Sequence, residues 1–379
     1  MKIIGCDYHP SFQQIAMVDT ETGEVTERRL YHGNGEAQRF YESLSGAVRV
    51  GVESSGNMLW FERLLTRLKQ ELWIGDAAAI HWQNPRKQQL TDKRDAQHLL
   101  DLLLDLLLEN RFPRIWVPSM EERDLRQLLK HRHTLVQMRT RVKNQLQHIA
   151  LNQGLQKKSQ LWSQEGQEWL KKLELDPWTQ RRRDDLLQML EDLDRQVKQM
   201  NREAEKAAAA RKDAQLLMSH PGVGPILALA TVLTLGDVSR FQCGRQVASY
   251  IGLVPTEMSS GQHRWLGSIT KQGNSFMRFL LVQAGLSAAR GDAELGRVYK
   301  RLAQKKHHGI AKVAVARKLL VRLYWMLRTQ KQYPEVVRMQ GSPSHPVAEA
   351  KADRLSGRPA SRPEPKDQKQ KQKNRKKQK

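Results

Sequence analysis

The chain lacks the features that mark secreted, disulfide-stabilised or membrane-spanning proteins. Among its 379 residues only Cys6 and Cys243 are cysteines, too few for a disulfide framework or a four-thiolate zinc site. No apolar run of about eighteen residues occurs, and the N-terminus lacks the basic-then-apolar layout of a signal peptide. These absences predict a soluble, intracellular protein with no membrane partner, and the length allows two or three domains.

Acidic residues are scarce relative to basic ones. Lysine and arginine total 64, against 40 aspartates and glutamates, and the formal net charge is +24. Residues 351–379 hold twelve of the basic residues and three of the acids, so they carry +9 and leave +15 on the other 350 residues. A basic body indicates a polyanionic partner, and nucleic acid is favoured over membrane because no basic amphipathic anchor stands out.

Residues 1–115 have the pattern of an α/β domain. Strands are predicted at "MKIIGCDYH", "FQQIAMVDT", "VTERRLYHG", "VRVGVES" and "ELWIGD". Helical spacing occurs in "GEAQRFYESL" and "NMLWFERLLTRLKQ", and a further helix is expected from Asp92 to about Leu108. Three strands joined by hairpins, followed by strands alternating with helices, is the order of the ribonuclease H (RuvC-like) fold.

Residues 116–215 contain almost no glycine or proline and carry many charges. Apolar residues recur every three or four positions, which predicts two long helices forming an antiparallel, coiled-coil-like hairpin. The stretch "RQLLKHRHTLVQMRTRVKNQ" has many basic residues and no acid. It is either a solvated face or a nucleic-acid contact, and contact is favoured for a group of five cations: Lys130, Arg132, Arg139, Arg141 and Lys143.

Residues 216–335 are predicted to form a compact, mainly helical domain, followed by a disordered basic tail over 336–379. The segment "HPGVGPILALATVLTLGD" resembles a helix-hairpin-helix turn. In such a turn Gly222 and Gly224 would let backbone amides approach a phosphate, although many interhelix turns look alike. A polar loop, "TEMSSGQHRWLGSITKQGN", is expected before the last helices.

Four acids of the first domain are candidates for one metal site. Asp7 lies in the first strand and Glu53 ends the fourth, and these strands are neighbours in a ribonuclease H-like sheet. Asp92 and Asp95 are three apart at a helix start, so they share a face. Converging carboxylates repel unless a cation is present, and Mg²⁺, as two ions, fits phosphoryl transfer.

Each of these acids also has an ordinary structural explanation. Asp7 can be a polar residue at a strand end, and Glu53 can cap the next helix. Asp92 and Asp95 would be favoured in the first turn of any helix. An actin-like ATPase, which also uses an aspartate in its first strand, is set aside because "GCDYHPSF" has no glycine-rich phosphate loop.

The order of several motifs resembles that of a known family. The motifs are "GCDYH", "GVESSGNM", "TDKRDAQHL", "PGVGPILALA", "FQCGRQVASYIGLVP", "SSGQHRWLGSITKQGNSFMRFLL" and "AVARKLLVRLYWML". Over residues 1 to about 330 the chain resembles the DEDD transposases of bacterial insertion sequences, which are bridge-RNA-guided serine recombinases. The long basic tail and the His9-Pro10 pair are not part of the family pattern.

The resemblance implies roles that the residues alone do not establish. Asp7, Glu53, Asp92 and Asp95 match the four metal-binding acids of the family, and Ser260 matches the serine that attacks a DNA phosphate and becomes covalently joined to the strand. In the family a structured bridge RNA pairs with target and donor DNA, which implies that residues 116–215 serve RNA binding and oligomerisation. Acids of one protomer act with the serine of another in a dimer-to-tetramer assembly, in the bacterial cytoplasm and at the nucleoid when DNA is bound.

Spacing alone does not single out Ser260, because a serine in a polar loop is ordinarily a turn residue. Ser259 is an adjacent competitor, and the Ser-Gly match favours Ser260. A hydroxyl nucleophile needs activation and charge neutralisation. Cations close enough in sequence to serve a phosphate are His263, Arg264, Lys271 and Arg278.

Three functions are compatible with the sequence. The leading one is a transposase that cuts and rejoins DNA through a phosphoserine, guided by RNA. The alternative is a RuvC-like metal-dependent endonuclease that hydrolyses DNA, with the C-terminal domain only binding; Ser260→Ala separates the two. A nucleic-acid scaffold without enzymatic activity is the third, and it would be indifferent to chelation of Mg²⁺.

Overall fold

The computed structural model of the chain describes residues 1–77, 79–80, 112–154, 160–260 and 263–340. The chain divides into two units, Met1–Pro118 and Ser119–Lys379. None of the helices in these ranges is both long enough and apolar enough to cross a membrane. Asp92, Asp95 and the tail from residue 341 lie outside the described residues.

A five-stranded mixed sheet organises the first unit. In chain order its elements are β1 (Lys2–Tyr8), β2 (Phe12–Asp19), β3 (Val25–Tyr31), α1 (Glu36–Ser43), β4 (Val48–Glu53), α2 (Leu59–Arg67) and β5 (Glu71–Gly75). The strand order is β3-β2-β1-β4-β5. The first three strands pair antiparallel, whereas β1, β4 and β5 pair in parallel. This arrangement is consistent with the ribonuclease H-like domain expected from the sequence.

Alternation along the strands separates the two faces of this sheet. Ile4, Cys6, Val50 and Val52 face α1 and α2, where they join a buried cluster with residues such as Phe61. The opposite face carries a second cluster, formed by Ile3, Ala16, Ile80 and Phe112. The sheet therefore carries a buried apolar cluster on each face, and β1 and β2 contribute to both clusters. The edge strand β3 differs, because its middle residues Glu27, Arg28 and Arg29 are exposed.

The second unit consists mainly of helices. Its described elements are α3 (Met120–Asn152), a 3₁₀ turn (Gln160–Trp162), α4 (Gln164–Lys171), α5 (Pro177–Ala209), α6 (Lys212–Met218), α7 (Pro225–Leu235), a 3₁₀ turn (Val238–Arg240), α8 (Gly244–Tyr250), β6 (Pro255–Ser260), β7 (His263–Ile269), α9 (Ser275–Gly291), α10 (Ala293–Lys305), α11 (His308–Thr329) and α12 (Tyr333–Gln340).

Helices α3 and α5 form the long antiparallel pair that the sequence predicts. Their hydrogen bonds join Arg132 to Asn201 and Arg139 to Asp194, so numbers rise on one helix as they fall on the other. The buried residues of α5 recur at alternating spacings of four and three, the spacing of a coiled-coil seam; they are Leu186, Leu190, Leu193 and Val197.

The far ends of both long helices belong to the main helical core. Leu129 of α3 and Ala204 of α5 are buried in one cluster with α7 and α11. Helix α7 is apolar on almost every side, which explains why it is enclosed by the other helices. The long helix pair therefore packs directly into the core formed by the C-terminal helices, rather than being attached through a linker.

The segment expected to be a polar loop contains a two-stranded hairpin instead. Strand β6 pairs antiparallel with β7 over 255–269. No alternation between apolar and polar residues is visible there because both faces of the ribbon are exposed: Trp265 is 75% exposed on one face and Leu266 47% on the other. The Ser-Gly dipeptide between two short runs was the available signal for this turn.

Candidate active site

Asp7 and Glu53 lie next to each other on one face of the sheet. The parallel register pairs Gly5 with Gly51 and Cys6 with Val52, and the next positions along it are Asp7 and Glu53. Both residues alternate with the cluster that faces α1 and α2, so they lie on the opposite face, at the carboxyl ends of adjacent strands. Asp7 is partly exposed, at 19% of its side chain. The structure therefore brings together the first two predicted acids.

The described residues that flank the segment 81–111 meet at this same edge. The last residue of β5, Gly75, pairs with Glu53. The Asp76 amide then donates to the carbonyl of Pro113 at 2.9 Å, and Ile80 and Phe112 pack on the face that carries Asp7. The chain thus leaves and re-enters the described part beside the two acids. Asp92 and Asp95 belong to that segment and lie outside the described residues.

Asp7 has close polar neighbours. Its Oδ2 lies 3.1 Å from Nε2 of His9, whose ring stacks on Phe12 with centroids 4.7 Å apart. On the other face of the same strand, burial raises the pKa of the Cys6 thiol far above its ordinary value, and the charge of Asp7 adds to the effect. Cys6 is therefore a neutral thiol that donates to Oε1 of Gln13 at 3.3 Å.

The residues at this edge have the kind of ligand atoms that a divalent cation binds. Two carboxylates on neighbouring parallel strands offer the oxygen ligands that hard cations prefer. Within the described ranges no group of three or more histidine, cysteine, aspartate or glutamate residues converges for a metal. The described part of the site thus supplies two oxygen-bearing side chains and needs more ligands for a complete site.

Ser260 is the last residue of β6, at the tip of the exposed hairpin. Its backbone pairs with His263, and the turn between them, residues 261–262, lies outside the described residues. Two pairs further from the tip come Met258 and Trp265, a large apolar pair on the same face of the ribbon as position 260. The candidate nucleophile is therefore carried on an arm whose apolar surface is uncovered.

Of the other cations predicted near Ser260, Arg278 has a structural role. Its Nη1 donates to the carbonyls of Ile251, Gln272 and Gly273, at 3.0, 2.6 and 3.2 Å. It thereby ties the loop after β7 to the end of α8. Lys271 is exposed and adopts a φ of 57°. Arg264 lies on β7, paired with Ser259.

The five cations predicted on α3 divide into two sets. Three of them contact neighbouring elements: Arg132 and Arg139 bond to α5, and the Lys143 ammonium lies 4.9 Å from the ring centroid of Trp162 in the 3₁₀ turn. Lys130 and Arg141 are exposed and are three helical turns apart, so they share a face. Only these two of the five keep a side chain directed to solvent without a partner among the described residues.

The turn between α6 and α7 contains the two predicted glycines. Gly222 adopts a φ of +82°, and a Cβ there would lie 2.4 Å from the backbone nitrogen of Ala288 in α9. Gly224 is exposed, and a Cβ there would meet nothing within 4 Å. Close packing against α9 thus explains why residue 222 is a glycine. At Gly224 the turn is open to solvent.

Two family models match the chain. One, described as the transposase IS116/IS110/IS902 family, matches residues 214–300, and the other, a DEDD transposase model of the IS110 type, matches residues 4–153. Together these segments cover more than half of the chain. The chain belongs to the DEDD transposases of insertion sequences. Such an enzyme cleaves and rejoins DNA, and membership of this family implies dependence on a divalent metal.

Curated relatives of this chain are also described as transposases of insertion sequence elements. The transposase for insertion sequence element IS1111A of Coxiella burnetii is 29% identical over 349 residues, covering 88% of this chain and 91% of the relative. The transposase for insertion sequence element IS1328 of Yersinia enterocolitica is 32% identical over 139 residues, covering 36% and 41%. Asp7 and Glu53 fall in the matched segment 4–153, and Ser260 falls in the matched segment 214–300.

Proposed function

We propose that this transposase cuts and rejoins DNA through a covalent phosphoserine at Ser260, assisted by a Mg²⁺ site of four carboxylates. The observation that carries the proposal is the adjacency of Asp7 and Glu53 on one face, at the carboxyl ends of neighbouring parallel strands. Asp92 and Asp95 would complete the site, because the chain that contains them leaves and returns at the same edge.

The proposed reaction exchanges one phosphate ester bond for another, so the energy of the broken phosphodiester bond is retained. The Ser260 oxygen would attack a DNA phosphorus, forming a serine–phosphate bond and releasing the hydroxyl of the neighbouring nucleotide, which takes up a proton. A DNA hydroxyl from another strand would then attack the phosphoserine, restoring the serine and sealing the new joint. Because no bond is lost to water, rejoining needs no external energy source, unlike religation after hydrolysis.

Each group has a stated task in this reaction. Asp7 and Glu53 would hold the cation, and His9 fixes one oxygen of Asp7 through the 3.1 Å contact. Two bound Mg²⁺ ions would neutralise the phosphate and polarise its oxygens. The exposed hairpin presents Ser260 at its tip, which suits a nucleophile that must reach DNA held elsewhere.

The resemblance supplies the remaining parts of the proposal. A bridge RNA would select target and donor DNA by base pairing, and the acids of one protomer would act with Ser260 of another within a tetramer. Exposed Lys130 and Arg141 on α3 are suited to phosphate contacts with that RNA. A discrete RNA recovered and sequenced from the purified protein would support this part, and its absence would contradict it.

Variants of the two serines and of Asp7 test the central step. DNA carrying the ends of the element, the bridge RNA and Mg²⁺ are incubated with Ser260→Ala, Ser259→Ala or Asp7→Asn protein, and strand exchange is measured. Ser260→Ala should lower the rate at least about 10³-fold, because the nucleophile is lost. Ser259→Ala, a matched change one residue away, should retain exchange, and Asp7→Asn should abolish it.

Two outcomes would count against the proposal. If Ser260→Ala still nicks DNA at the wild-type rate, the enzyme hydrolyses the strand with water and the endonuclease alternative holds. If Ser259→Ala rather than Ser260→Ala loses exchange, the nucleophile has been assigned to the wrong serine.

A further inference from the structure

The helical unit contains an open cleft that none of the residues predicted from the sequence lines. It lies among α9, α10 and α11 and has a volume of about 920 Å³. Small residues such as Ala289 and Gly296 form part of its wall, and its polar lining includes Arg290, Arg297, Tyr299, Lys300, His308 and Lys312. We refer to it as the α9–α11 cleft.

Four cations from three helices face this cleft. Arg290 lies in the last turn of α9, Arg297 and Lys300 are one turn apart on α10, and Lys312 lies near the start of α11. The first three are exposed. No acidic side chain pairs with any of the four in the part of the chain that the structure describes.

The acidic side chains Asp292 and Glu294, which lie near the cleft, form ion pairs with other residues. Asp292, which also lines the cleft, is 2% exposed and pairs with buried Arg322. Glu294 pairs with Lys318 at 3.2 Å and with Arg322 at 2.6 Å. The positive charge in the cleft is therefore not neutralised from within, and four like charges facing one concave surface favour an anionic ligand.

The aromatic groups and the wall of the cleft add to its character. The Tyr299 hydroxyl lies 3.4 Å from Nδ1 of His308, which places two rings with polar atoms beside the cations. A Cβ at Gly296 would lie 2.7 Å from the carbonyl oxygen of Ala289, so α10 crosses α9 closely at the wall. Close helix packing fixes the positions of Arg290 and Arg297 relative to each other.

We propose that the α9–α11 cleft binds the phosphodiester backbone of DNA. The charges are spread along an open surface built from three helices, which suits a chain of phosphates better than one small anion. DNA is the polyanion on which a transposase acts. The proposal concerns binding alone, so it stands or falls independently of Ser260 as nucleophile and of guidance by RNA.

Salt dependence of DNA binding tests this site. Full-length Arg297→Gln/Lys300→Gln is compared with Lys171→Gln/Lys172→Gln, which removes the same charge from two exposed positions at the C-terminal end of α4. Fluorescein-labelled duplex DNA is titrated by anisotropy at several KCl concentrations, and an RNA duplex of the same sequence is titrated in parallel. Loss of two phosphate contacts should reduce the slope of log K against log[salt] by about 1.8. The α4 variant should keep the wild-type slope.

Each result decides for or against the cleft. A wild-type slope in the cleft variant, or an equal decrease in both variants, would overturn the proposal, the latter because net charge alone would explain it. A decrease confined to the RNA duplex would overturn the assignment to DNA. Thermal melting checks that the variants are folded, and if the double variant is not, Lys300→Gln alone should lower the slope by about 0.9.

Discussion

Individual buried polar residues hold together the helices that form the α9–α11 cleft. Asp292 caps α10 by accepting from the Leu295 amide at 2.8 Å, and it also accepts from Arg322 and from the Tyr333 hydroxyl at 2.6 Å. Burial acts to raise the pKa of Asp292, but the bonds from Tyr333 and Leu295 and the charge of Arg322 hold it below its usual value. His220 packs against Tyr333, with ring centroids 4.4 Å apart.

His220 should make the stability of the helical unit depend on pH. Burial lowers its pKa to about 4, and its Nδ1 lies 2.8 Å from the carbonyl oxygen of Pro221. The folded state thus binds a proton less readily than the unfolded chain, so its contribution is complete above pH 6.5 and is lost as the pH falls towards 4. The free energy of unfolding should decrease by about 3 kcal/mol across that interval.

Urea unfolding monitored by circular dichroism at several pH values measures this effect. His220→Gln should show a smaller decrease than the wild type between pH 6.5 and 4, whereas His131→Gln, at an exposed position on α3, should not differ from it. The stabilisation from the lowered pKa of Asp292 begins to be lost only below about pH 5, at the acidic end of this window, in wild type and variants alike. An equal decrease in His220→Gln and wild type would contradict the assignment.

Among the structural elements, the turn between α6 and α7 depends most clearly on one residue. Gly222 combines a positive φ with a close approach to the backbone of Ser287 and Ala288. Backbone atoms cannot move aside as the end of a side chain can, so any side chain at 222 must displace α7 or α9. Gly224 lies two residues further on, with open space around it, and provides a matched comparison.

Gly222→Ala should lower the free energy of unfolding by about 2 kcal/mol or more, because it combines backbone strain with overpacking. Gly224→Ala should change it by less than about 0.5 kcal/mol, as expected for an exposed position without close neighbours. Chemical denaturation of both variants measures the difference. Equal stability of the two variants would mean that the close approach to α9 is absent in solution.

Much of the first unit could be predicted from the sequence because its strands are half-buried or fully buried and bounded by turns. The positions of Asp7 and Glu53 follow from alternation and from the adjacency of the first and fourth strands. The hairpin that carries Ser260 could not be predicted in the same way, because exposure on both sides removes the alternation. The packing of Gly222 against Ala288 depends on a contact between residues far apart in the chain.

The basic side chains illustrate another limit of sequence. The sequence alone does not distinguish the five basic residues predicted on α3, which are Lys130, Arg132, Arg139, Arg141 and Lys143. In the structure, Arg132, Arg139 and Lys143 contact neighbouring elements. Arg278 similarly satisfies backbone carbonyls. The cations of the α9–α11 cleft, which pair with no acid in the described part of the chain, come from three helices separated by turns. Only a three-dimensional arrangement distinguishes a cation that holds the fold from one that is free for a ligand.

For the molecule as a whole, the proposed reaction needs two groups: the acids of the first unit and the Ser260 hydroxyl of the second. The net charge of +24 concentrates DNA around both. Each unit has its own hydrophobic core. Loss of either group should therefore stop the reaction without unfolding the other unit.

The most direct measurement is the identity of the residue joined to DNA. Protein, bridge RNA and DNA with a nick that traps the joined strand are incubated with Mg²⁺, denatured and digested, and the peptide bearing a nucleotide is sequenced by mass spectrometry. We predict a phosphodiester on Ser260 that forms with Mg²⁺ and is absent after chelation or in Asp7→Asn protein. An adduct on any other residue, or efficient strand exchange with no adduct at all, would contradict it.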